Sequence, residues 1–165
     1  MLTDIVIDDT RWDGLETQAV FEDAACATLA HLGVPSDGYE ISILACNDTR
    51  MAALNAEFRD KPTPTNVLSW PAYHLAPDQS GHTPNPPPKS DVLMGESLGD
   101  IAISYDTCLR EAQATGKSFK DHVTHLIVHG TLHLLGYDHV SDSDATLMER
   151  IETETLGKMG VSNPY

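Results

Sequence analysis

The segment that most restricts what this chain can fold into is His129-Gly130-Thr131-Leu132-His133-Leu134-Leu135-Gly136-Tyr137-Asp138-His139. Residues four apart on a helix lie nearly above one another, so His129 and His133 project from one helix face, a single turn apart. Two imidazoles so placed can hold one metal ion. Gly136 then ends the helix, because glycine adopts left-handed backbone angles at no steric cost. The chain turns back there and brings His139 round as a third ligand.

Three imidazole nitrogens with an open fourth position make a catalytic zinc site rather than a structural one. The spacing is similar to that of the metzincin proteases, H-E-x-x-H-x-x-G-x-x-H, with one departure. Gly130 stands where a protease carries its general-base glutamate. His125 precedes His129 by one turn on the same face and reads as an outer contact or a substrate contact. A fourth protein ligand would close the site and suppress catalysis. His122 lies off that face and reads as solvated.

The 165 residues suffice for one domain with a buried core, and 41% hydrophobic with 21% charged residues is ordinary for a soluble globular protein. No stretch approaches the ~20 apolar residues of a membrane span. The N-terminus has no basic stretch of the signal-peptide kind. Cys26, Cys46 and Cys108 are odd in number and unpaired in sequence, which points to reduced thiols in the cytoplasm. The net charge of −15 disfavours long-range attraction to a polyanion. Contact with nucleic acid then needs a local basic patch, for which Arg50, Arg59 and Lys61 are the candidates, together with a metal or a partner.

Residues 2–7 read as a strand. Val20, Phe21, Ala24, Leu29 and Leu32 recur at helical spacing within a helix expected from Trp12 to Leu32, ended by Gly33-Val34-Pro35. Tyr39 to Ala45 alternates as a strand. Asp48 is placed to cap a helix through Phe58, with Met51, Leu54 and Phe58 as its inner stripe. Asn66 to Trp70 and Asp100 to Ser104 read as further strands. Between them, about 71–98 holds six of the ten prolines and is expected to be a flexible surface loop, with His74 and His82 solvated. Tyr105 to Thr115 is a helix stopped by Gly116. Ser118 opens the histidine-bearing helix, with Val123, Leu126, Ile127 and Leu134 in the core. Ser141 or Asp142 caps a last helix, whose Leu147, Ile151 and Met159 face inward. The order of elements implies an α+β or mixed α/β sheet covered by helices, with no repeat and no second domain in 1–165.

The block at 129–139 resembles the signature of the YbeY endoribonucleases, the ribosomal-RNA maturation factors of bacteria. Phe58-Arg59 followed by Pro64-Thr65-Asn66-Val67-Leu68-Ser69-Trp70-Pro71 is similar to that family's F-R-x-x-x-x-P-T-N-V-L-S-F-P, with Trp70 in place of Phe. Leu98-Gly99-Asp100-Ile101-Ala102-Ile103-Ser104 and Asn163-Pro164-Tyr165 also match its pattern. The resemblance covers most of the chain from Glu57 onward; the first 45 residues agree only in pattern. It implies a zincin-like α+β domain with a mixed sheet of about four strands. It further implies a zinc-type ion at His129, His133 and His139, a functional arginine at Arg59, and a proline-rich insertion at about 71–98. Single-stranded RNA, small-subunit ribosomal RNA above all, would be the substrate, in 3′-end maturation and ribosome quality control. A small-subunit ribosomal protein and an assembly GTPase would be the partners.

On that reading the ion lowers the pKa of its water from about 15.7 toward ~7, so hydroxide attacks phosphorus with no glutamate at position 130. Arg59 would meet the added phosphate charge with its planar, permanently charged fork. Asp138 reads either as a group orienting a ligand imidazole or as a turn residue, and Asp100 either as a strand-end residue or as an acceptor for a histidine N–H. Two rivals remain: a zincin-type metalloprotease, and a non-catalytic ribosome-assembly factor with a structural metal. Nickel, copper or cobalt would also suit three imidazoles.

Overall fold

The computed structural model describes residues 1–89 and 95–165. Four strands, β1 (Thr3–Ile7), β2 (Tyr39–Cys46), β3 (Val67–Pro71) and β4 (Glu96–Ser104), form one sheet in the order β1-β2-β4-β3. The first two pairings are parallel, and β3 runs antiparallel along the edge of β4. Five α-helices cover it: α1 (Thr17–His31), α2 (Asp48–Arg59), α3 (Tyr105–Thr115), α4 (Phe119–Leu134) and α5 (Asp142–Lys158). This is the α+β single domain with a four-stranded mixed sheet that the sequence implied.

Alternation along the strands decides which helix goes where. Ile41, Ile43, Ala45, Ile101 and Ile103 point to one face and pack with Phe21, Leu29, Ile127, Leu132 and Leu156 of α1, α4 and α5. Cys46, Leu68 and Ala102 point to the other, where Met51 of α2 covers them. Each large side chain so buried contributes about 1.5–3 kcal/mol. The histidine helix α4 is thus fixed against the sheet at β3 and β4, with α1 and α5 beside it.

Three expectations need correction. The helix expected over 12–32 is two elements, a 3₁₀ turn (Thr10–Leu15) and α1, separated by Glu16 in the left-handed region at φ 51°. The indole of Trp12 explains the break, because it turns into the core and donates its Nε1–H to the Cys46 carbonyl at 2.9 Å. The α2 cap is Asn47, not Asp48; its side chain accepts from the Arg50 N–H at 2.9 Å. Phe58 is 56% exposed and edges onto Trp70, outside the inner stripe.

The proline-rich stretch is pinned as well as exposed. Leu75 is buried, the Asn85 N–H donates to the Leu75 carbonyl at 2.8 Å, and the Gly81 N–H donates to Asp144 at 2.7 Å. The Tyr39 hydroxyl reaches the Pro88 carbonyl at 2.5 Å. Low apolar content kept the stretch from forming a core of its own, yet one leucine and a few backbone bonds hold it on the domain. Strand β4 also starts at Glu96 rather than Asp100. Residues 90–94 of the expected loop lie outside the described residues. Among the described residues, no helix is long and apolar enough to cross a membrane.

Candidate metal centre

Helix α4 begins as its sequence suggests, with the Ser118 hydroxyl accepting from the Asp121 N–H at 3.1 Å. Its apolar face is buried through Val123, Leu126, Ile127 and Leu134, which leaves His129 and His133 looking into a cleft. Gly136 turns the chain at φ 96°. A Cβ there would come within 2.9 Å of Leu75 atoms, including backbone. Gly136 therefore does two things: it ends the helix and admits the Leu75 segment as a wall of the cleft. The turn delivers His139, whose ring lies 5.3 Å from that of His129 and 5.1 Å from that of His133.

The ligand nitrogens of His129, His133 and His139 all fall within 4.8 Å of one another. Nδ1 of His133 faces the Tyr137 carbonyl at 3.0 Å, and Nδ1 of His129 faces a Glu152 carboxylate oxygen. Both acceptors carry no proton to give, so each ring holds its hydrogen on Nδ1 and leaves Nε2 with a bare lone pair. Those two Nε2 atoms point at each other across 3.0 Å. Two converging lone pairs with a third imidazole alongside are a donor set suited to a zinc-type cation. Burial, with the neighbouring His129 and His139 adding to it, lowers the His133 pKa to about 4, so its ring is in the neutral, ligating form at physiological pH.

Position 130 is packed against the sheet. A Cβ on Gly130 would lie 3.2 Å from both the Ile101 Cδ1 and the Ser69 hydroxyl, so α4 rides close over β3 and β4 there. The glycine read as a missing protease base is a close-packing residue.

Glu152 is the residue that the sequence reading overlooked. It is 0% exposed on α5, with one oxygen toward His129 and the other bonded by the Tyr165 hydroxyl and 3.4 Å from His125 Nε2. Burial alone would raise its pKa; hydrogen bonds from His125, His129 and Tyr165 hold it at about 2. A signal was available. Met148, Ile151, Thr155 and Leu156 form the buried stripe of α5, and Glu152 sits on that stripe.

Other expected residues sort differently. His125 turns toward Glu152 and forms a second potential ligand group with it and His129. His122 is buried, not solvated, and bonds to Glu111 of α3 at 2.9 Å, because α3 packs against α4. Glu111 also accepts from Asn66 at 3.0 Å, which steadies that residue at the cleft. Asp138 accepts from the His139 N–H at 2.8 Å, the behaviour of a turn residue. Asp100 lies exposed in mid-strand on the α2 side, away from the histidines.

The cleft above the histidines has a volume of about 640 Å³ and an open mouth. Arg59, the last residue of α2, lines it, while Arg50 and Lys61 do not. Among the described residues Arg59 has no ion pair, so its guanidinium is free for a ligand. His74 lines the cleft too. Among the described residues Asp138 is the one carboxylate in the lining, in a chain of net charge −15.

A family model described as endoribonuclease YbeY matches residues 6–160. The chain belongs to the endoribonuclease YbeY family. The endoribonuclease YbeY of Ruegeria pomeroyi is 56% identical over 165 residues, covering 100% of this chain and 98% of its own. That of Ruegeria sp. strain TM1040 is 54% identical, with 100% and 96% covered. The Rhizobium etli YbeY is 44% identical, with 98% and 91% covered. The fold is similar to the solution structure of TM1509 from Thermotoga maritima, at TM-score 0.56 and 18% identity over 96% of this chain and 92% of that one. Within this chain, the histidine turn, Arg59 and the Thr65-Asn66-Val67 segment all border one cleft.

Proposed function

We propose that this chain is a metal-dependent endoribonuclease that cuts single-stranded RNA in the cleft between α4 and α2. The observation that carries the reading is the convergence of two bare Nε2 atoms, with His139 alongside, at the floor of a cleft whose rim holds an unpaired arginine. Membership of the YbeY family supports RNA as the substrate class.

His129, His133 and His139 would hold the ion, zinc being the best match for three imidazoles. When bound, such an ion supplies Lewis acidity and lowers the pKa of water toward ~7. Glu152 and the Tyr137 carbonyl keep both ring protons on Nδ1, so the ligand set is pre-oriented. Arg59 binds the scissile phosphate and offsets charge gathered on its oxygens, a task suited to a guanidinium that stays protonated. The cleft, with a single acid among the described residues, receives a phosphodiester that the rest of this acidic surface would repel.

Within the cell we assign the activity to the cytoplasm and to small-subunit rRNA maturation, including its 3′ end, and to ribosome quality control. A small-subunit ribosomal protein and an assembly GTPase would bring the RNA within reach. Docking on a ribosome answers the charge problem, since delivery then needs no long-range attraction.

Incubation with single-stranded RNA and with casein, each with and without chelator, tests the reading. RNA cleavage that stops on chelation and returns with Zn²⁺, beside intact casein, is the expected result. Cleavage of casein, or RNA cleavage indifferent to chelator, would sink it.

A further inference from the structure

Among the described residues the buried carboxylate of Glu152 has no lysine or arginine partner; its donors are His125, His129 and Tyr165. A charge taken fully out of water costs several kcal/mol unless hydrogen bonds replace its hydration. Such a group persists where its orientation of a neighbour is needed. Here the neighbour is a metal-ligating ring, and the bond falls on the ring nitrogen that faces away from His133.

The remaining oxygen of Glu152 is held by the Tyr165 hydroxyl, which comes from a segment lying outside every helix and strand. Lys117 reaches the Pro164 carbonyl at 3.5 Å and seats that segment on the domain, while the Tyr165 N–H donates to the Asn163 side chain at 2.8 Å within it. The Tyr165 ring also stands edge-on to His125 at 5.9 Å.

We propose that Glu152 is the positioning residue of the metal centre, and that segment 163–165 locks it by way of the Tyr165 hydroxyl. Glu152 takes the Nδ1–H of His129, which commits Nε2 to the ion. Tyr165 bonds the far oxygen, which also lies 3.4 Å from His125 Nε2, so the carboxylate is held with its near oxygen on His129. Metal affinity is thereby coupled to the seating of a surface segment with no ligand of its own. The close group formed by His125, His129 and Glu152 is then an orienting shell and not a second ion site, since both oxygens are already engaged.

This rests on the three-histidine reading above, and one set of measurements separates the two. Co²⁺ is titrated into the metal-free full chain by visible absorption, with affinity set by chelator competition. The His129 tautomer is read by ¹⁵N NMR of the metal-free protein. Wild type that takes up no Co²⁺ refutes the histidine site itself. Wild type should bind one ion and show His129 protonated on Nδ1. Glu152→Gln should weaken binding about 10–100-fold and mix the His129 tautomers. Tyr165→Phe, which removes one hydroxyl at the surface, should weaken it about 3–10-fold at unchanged metal-free Tm. Wild-type affinity and tautomer in both variants, or two Co²⁺ ions per wild-type chain, would overturn the assignment.

Discussion

Glu22 on α1 and Glu152 on α5 are both held at about pKa 2 by hydrogen bonds that outweigh the effect of burial, yet their donors differ in kind. Glu22 accepts from the Leu2 and Thr3 backbone N–H groups at 2.9 and 2.8 Å and from the Thr3 hydroxyl at 2.6 Å. Those donors end in the contact; nothing beyond them is oriented. Glu152 accepts from an imidazole with a second nitrogen to offer, and that nitrogen faces the cleft. One carboxylate ties β1 to α1, and the other passes an orientation through a ring to a binding site. Chemically alike acceptors thus serve the fold or the site according to whether the donor has another end.

The contrast has measurable consequences, the largest at the ligands. His133→Ala should abolish stoichiometric metal and lower RNA cleavage at least ~10³-fold, because two imidazoles no longer define the site. Stoichiometric metal in that variant, by mass spectrometry under native conditions, would mean the wrong rings are named. Arg59→Ala comes next, with cleavage expected to fall about 10²–10³-fold, the usual cost of one lost charge-stabilising donor. Its metal content and Tm should match wild type, since Arg59 is exposed and makes no ion pair among the described residues. Full activity would remove its role.

Much of this site could be read in the sequence because its three histidines sit in one helix and the turn after it. Spacing alone places His129 over His133, and Gly136 marks the turn. The same arithmetic fails where a contact joins distant segments. Whether His122 is solvated depends on Glu111, which reaches it only once α3 packs on α4. Leu75 is one apolar residue in a proline-rich segment; its burial depends on the bare backbone of Gly136. Glu152 lay in plain view on an apolar stripe, but its purpose appears only with His129 across the α4–α5 contact. The sheet was legible in strand positions, and the resemblance implied that it is mixed, while no local pattern placed β3 antiparallel beside β4.

The smallest effect separates the two carboxylates most directly. Glu22→Gln puts an amide where two backbone N–H groups and a hydroxyl need acceptors, and should cost about 2 kcal/mol at pH 7, since the group is only part-buried. For a domain of this size that lowers Tm by roughly 4–8 °C. The folded pKa of Glu22 lies below its ordinary value of 4.5, at about 2. A depressed carboxyl contributes stability that is complete above the unfolded value and is lost as pH falls through the folded one. The wild-type advantage over Glu22→Gln should therefore hold above pH ~5, shrink between there and pH ~2, and vanish below. Urea titrations of both proteins across that range measure it. Co²⁺ affinity should not change, because no donor to Glu22 reaches the cleft. A stability gap independent of pH would show that Glu22 acts by packing instead of charge. A weakened metal site would erase the distinction between a carboxylate that holds backbone and one that aims a ligand.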